Sequence, residues 1–171
     1  EQVAAAIDRV TATHGRIDGL AHVAGILGAL SPIDHYDVPT WCKVLHVNLT
    51  APFILTQTLL PLLRRSDDAC VLFTSSTVAR RGRAYWGAYA VSKFGVEGLM
   101  QVLAHETEET TPIRVNSLNP GPVRTAMRLQ AFPAEDRSLL PEPSAVVAPF
   151  LYLLGPASRG VSGQAFDCQQ A

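Results

Sequence analysis

Cysteine is scarce. Cys42, Cys70 and Cys168 are odd in number and far apart. They match no metal or disulfide pattern, and read as buried or half-buried thiols in a reducing cytoplasm. Surplus charge is lacking too: 14 Lys and Arg against 15 Asp and Glu leave a formal net charge of −1. That balance speaks against a nucleic-acid surface and against a polybasic membrane anchor. No apolar run reaches the length of a membrane span, and no signal peptide precedes the first helical pattern. The five histidines, at 14, 22, 35, 46 and 105, show no ligand spacing, so no metal site is expected. An initiator Met is missing as well: Glu1 stands first, which reads as a fragment or a processed product.

What is present is a core. Of 171 residues 47% are hydrophobic and 17% charged, enough for one globular domain. Residues 1–14 read as a helix with Val3, Ile7 and Val10 on one side and Gly15 as its C-cap. Ile17–Val23 is a short apolar run, a buried strand. A loop over 26–38 precedes a long helical pattern from Pro39 to Arg65, which Pro52 and Pro61 should bend. Ala69–Thr74 is a second buried strand, and 77–86 a polar, Arg-rich loop. Gly87–Glu109 is helical, Ile113–Leu118 a third strand, and 124–131 a short helix. After a Pro-rich loop over 132–143, Ser144 reads as the N-cap of a helix at 145–154. Gln164–Cys168 is a fourth strand. Helices alternating with apolar strands, without repeats or a dividing linker, predict one doubly wound α/β domain with a parallel sheet.

The chemistry concentrates between residues 73 and 99. Tyr89 and Lys93 are one helical turn apart on one face. A cation near a phenol favours the phenolate, so the Tyr89 pKa is expected below its usual value of about 10. That suits a general acid/base. Ser76, thirteen positions upstream at the end of an apolar strand, can bind the oxygen whose proton Tyr89 handles. A bare Tyr-x-x-x-Lys is also an ordinary helix pair; its place after the strand ending Thr74-Ser75-Ser76 gives it meaning. Ser75 reads as a strand-end hydroxyl.

Ser76, Tyr89 and Lys93, in FTSSTVARRGRAYWGAYAVSKFGVEGL, resemble the signature of the short-chain dehydrogenase/reductases. The resemblance runs from DGLAHVAG (18–25) to VSGQAFD (161–167), and GRAYWGAYAVSKF is most similar to the YciK-type branch. It implies a Rossmann-like fold and hydride transfer between NAD or NADP and a small carbonyl or alcohol substrate. Tyr89 would pass the proton, Lys93 would hold the nicotinamide ribose, and Ser76 would bind the substrate oxygen. Asn48, in HVNLTAPF, corresponds to an Asn that bends its helix and holds a water in a proton relay with the Lys; on its own it reads as a surface or kink residue. Pro120, Gly121, Val123 and Thr125, in NPGPVRT, would line the nicotinamide, Val123 through its backbone and Thr125 through its side chain. Ala24 and Gly25 fit the family's NNAG at the cofactor, whereas His22 and Val23 depart from it.

Arg80, Arg81 and Arg83 could attract an acidic substrate or a cofactor phosphate, or form a solvated loop. Tyr85 and Trp86 could wall the substrate pocket or meet a neighbouring subunit. Met127 with 124–136 matches the family's substrate lid. The helices at about 40–65 and 87–109 would pack in a homodimer or homotetramer.

The family's opening strand–TGxxxGxG–helix has no counterpart here. These four strands would then be the later half of a sheet of about seven, and roughly 80 residues upstream would cover strand 18–23, otherwise an apolar edge. The absent loop leaves an alternative: a truncated or degenerate relative with a structural or binding role.

Overall fold

The computed structural model describes residues 2–169; among residues 2–6 only the Ala5 side chain is described, so the expected place of Val3 lies outside it. Four strands form one parallel sheet in chain order: β1 (Gly19–His22), β2 (Cys70–Thr74), β3 (Arg114–Asn119) and β4 (Ala165–Asp167). In register Gly19 faces Cys70, Cys70 faces Arg114, and Ser117 faces Ala165. Six α-helices accompany them: α1 (Gln2–His14), α2 (Val38–Leu45), α3 (Ala51–Leu63), α4 (Gly87–Thr107), α5 (Ala126–Ala131) and α6 (Val147–Leu154).

The side-chain alternation of β2 divides the core between the two faces of the sheet. Val71 and Phe73 point to one face, packed with Leu62 and Leu63 of α3 and Val96, Met100 and Leu103 of α4. Leu72 points to the other, with Leu118 and Leu153. Helices on both faces explain why β2 is a continuous apolar run.

The expected helix from Pro39 to Arg65 is three pieces. Asp37 caps α2 by accepting from the Thr40 N–H at 2.8 Å. A π turn, His46–Thr50, separates α2 from α3. Pro52 has no N–H to offer the carbonyl of Asn48, so the ordinary helical ladder cannot run through this point. Gly15 ends α1 at φ 70°, as its C-cap reading required. Two expectations are corrected. Ser144 is not an N-cap: it sits inside a 3-10 turn, Pro143–Val146, and α6 begins after it. Cys42 is exposed, because the side chain α2 buries is Val44; only Cys70 is buried and Cys168 half-buried.

Candidate active site

β2 delivers the chain to the site. Beyond Thr74 the backbone stays extended, with Ser76 at φ −159° and ψ 156°, so Ser75 and Ser76 face opposite ways. Ser75 is buried and its hydroxyl donates to the buried Glu97 carboxylate, which also accepts from Ser117 at 2.8 Å. That interaction ties the ends of β2 and β3 to α4, and it explains the doublet: both serines line the cavity, but the Ser75 hydroxyl is committed to Glu97.

The first two turns of α4 carry Tyr89 and Lys93. Trp86, just before the helix, meets the Tyr89 ring edge-on at 5.8 Å between centroids. Lys93 is buried, and its Nζ donates to the Thr74 carbonyl at 2.7 Å. The ammonium lies 5.8 Å from the Tyr89 ring centroid. Burial lowers the Lys93 pKa to about 8, opposed by the Glu97 charge. Burial pushes the Tyr89 phenol above its usual value, opposed by a hydrogen bond with Ser76. The expected downward shift at Tyr89 is therefore corrected. Desolvation of the phenolate dominates, and the Lys93 ammonium gives its hydrogen bond to Thr74 and not to the phenol.

Ser76, Tyr89 and Lys93 line one cavity of about 900 Å³ with Gly25, Pro120, Gly121, Val123 and Thr125. Ala24 is not among its walls, whereas Val23 and Gly25 are; alternation turns residue 24 away. Asn48 lies behind the wall. Its Oδ1 accepts from the Ile26 N–H at 2.8 Å, and its Nδ2 donates to the Ile26 carbonyl at 2.9 Å and to Ser92 Oγ at 3.1 Å. Both amide donors are thereby engaged, so the side chain has none left for a relayed water. A Cβ on Gly25 would stand 3.4 Å from Asn48 Oδ1 and 3.9 Å from Lys93 Nζ, so the three meet at one point.

Thr125 lines the cavity and also caps α5, accepting from the Arg128 N–H at 3.1 Å. The loop before it turns at Gly121, φ 73°, a backbone conformation that glycine adopts without strain. His22 is structural: it stacks on Phe73 and bonds Thr56 Oγ1 at 2.8 Å, and burial lowers its pKa to about 4.

Sequence reasoning did not find Thr74, whose carbonyl holds Lys93 and whose buried hydroxyl has no partner. Nor did it find Glu97, although it stands one helical turn beyond Lys93, or Phe132, which closes the cavity against Trp86 at 5.7 Å.

The family model for short chain dehydrogenases matches residues 1–136. The chain belongs to the short chain dehydrogenase family. It is 48% identical over 161 residues to an Escherichia coli K12 protein called uncharacterized oxidoreductase YciK, covering 94% of this chain and 63% of that one. A solved Pseudomonas syringae short chain dehydrogenase superposes with a TM-score of 0.95 at 50% identity, over 98% of this chain and 68% of that one. An Escherichia coli CFT073 relative solved with NADPH gives 0.94 at 47% identity, over 99% and 70%. The chain thus spans rather less than two thirds of the curated relative. The four parallel strands with their flanking helices match this family's Rossmann-like fold.

Proposed function

We propose that the intact protein is an NADP- or NAD-dependent oxidoreductase that interconverts a small carbonyl compound and its alcohol. The observation that carries this is the convergence of Ser76, Tyr89 and the buried Lys93 on one cavity. The NADPH-bound relative supports the choice of cofactor.

The described residues fit the nicotinamide half of such a cofactor. The cavity is wide, its floor holds a buried ammonium, and the Thr74 hydroxyl beside it lacks a partner. Lys93, Gly25, Pro120, Gly121, Val123 and Thr125 would hold the ring and its ribose. Among the described residues no glycine-rich loop serves the pyrophosphate. When bound, the nicotinamide supplies or accepts the hydride.

The chain's own residues handle the proton. A phenol with a raised pKa is protonated at neutral pH, so Tyr89 donates to the developing alkoxide during carbonyl reduction. Ser76 bonds the same substrate oxygen and orients it toward Tyr89. The Lys93 ammonium keeps positive potential under the reacting centre in a poorly solvated site. Val23, Val123 and Met127 give the cavity an apolar wall beside the reacting groups.

The sign of the pH dependence follows. Lys93 is charged below pH about 8 and loses its proton above it. With NADPH, kcat/KM for reduction should be level below pH 8 and fall above it. The reverse oxidation needs the phenolate and should rise with pH. Reduction that is indifferent to pH through this range would remove Lys93 from the mechanism.

The non-catalytic alternative is not favoured, since the three groups remain assembled on an open cavity. Homo-oligomer formation is part of the proposal. Phe53 and Ile54 on α3 and Val91, Phe94 and Val102 on α4 are exposed apolar side chains, the pattern of helices that meet a second copy.

A further inference from the structure

The outer half of the cavity has a charge pattern that proton transfer does not require. Four cations line it, Arg81, Arg83, Lys93 and Arg128, and no Asp or Glu does. Two of the four are committed elsewhere. Lys93 is bound to Thr74 O, and Arg128 is paired through two nitrogens with Glu135. Among the described residues Arg81 and Arg83 make no ion pair, whereas their neighbour Arg80 is paired with Asp167 at 2.6 Å.

Arg83 is held in place without losing its donors. Its guanidinium lies 5.4 Å from the Trp86 ring centroid and 5.0 Å from that of Phe132. Arg128 covers Phe132 at 3.8 Å. The two rings hold the guanidinium while its N–H groups make no hydrogen bond among the described residues, which leaves them free to grip a carboxylate in a fork. Trp86 in turn touches Tyr89. The cavity therefore runs from the acid/base, past the Trp86 ring, to an unpaired cation. It offers an oxygen site, an aromatic wall and an anion site.

We propose that the substrate is a flat, aromatic or conjugated carbonyl compound bearing a carboxylate, with the carbonyl at Tyr89, the ring along the Trp86 side chain, and the carboxylate on Arg83, assisted by Arg81. This rests on the oxidoreductase reading of the same cavity. The readout is equilibrium binding, so it stands apart from turnover. Calorimetry on the intact protein saturated with NADP compares 2-naphthoate with 2-naphthamide, which has the same shape without the charge. The acid binds at least about tenfold more tightly, as a charged hydrogen bond requires. Arg83→Met removes that preference, Arg83→Lys keeps part of it, and neither changes NADP affinity. Equal binding of acid and amide, binding of neither, an Arg83→Met protein that keeps the preference, or one that weakens NADP instead, overturns the assignment. Tyr89→Phe leaves naphthoate binding intact. If that variant also kept full turnover, the reaction would be misassigned while the anion site stood.

Discussion

Tyr89→Phe in the intact protein lowers kcat for carbonyl reduction by roughly 10³-fold, within the range that loss of a general acid produces. The fold should not notice the change. The ring keeps its edge-on contact with Trp86, and the backbone carbonyl of residue 89 still accepts from Ser92 Oγ at 2.7 Å. What disappears is the hydroxyl that shares the cavity with Ser76 and that burial keeps protonated. NADPH affinity should change by less than about threefold, since Lys93 keeps its anchor on Thr74. Steady-state kinetics beside a thermal melt checks this. Wild-type turnover in a folded variant would mean that another group moves the proton.

The second large effect falls on stability. Asn48 is 1% exposed and satisfies both backbone groups of Ile26 while donating to Ser92. Its position between α2 and α3 lets one side chain bind the loop after β1 to the face of α4. Asn48→Ala strands the half-buried Ile26 N–H and C=O, and each group left unsatisfied costs about 1–3 kcal/mol. A loss of about 2–4 kcal/mol in urea unfolding is expected, with weakened cofactor binding because Gly25 rests on Asn48. Asn48→Asp should not rescue it: one oxygen can still accept from Ile26, but the other faces a carbonyl that needs a donor. A loss below about 0.5 kcal/mol would show that water replaces the clamp.

Much of this was legible in the chain itself. β2 reads as an apolar run because it is buried on both faces, whereas β1, expected to be buried, leaves Gly19 and Ala21 exposed; Gly15 announced its cap. Tyr89, Lys93 and Ser76 were legible because helix and strand periodicity alone set which way they face. Features that depend on tertiary register were not. The partner of Lys93 is a main-chain carbonyl on another element, and no spacing announces it. The π turn comes from Pro52 acting on Asn48, and proline predicts interruption without saying of what kind. Tyr89 was expected to be acidified, since sequence spacing shows that Lys93 is near but not that its hydrogen bond goes to Thr74. Phe132 meets Arg83 and Arg128 only because the segment after α5 folds back over the cavity.

The most direct measurement is a crystal structure of the intact protein with NADP and an aldehyde, an oxidised pair that cannot react. The aldehyde oxygen should lie about 3 Å from both Tyr89 Oη and Ser76 Oγ, with the nicotinamide on the Gly25 and Pro120–Val123 side. An oxygen turned away from Tyr89, or a nicotinamide seated outside this cavity, would contradict the account.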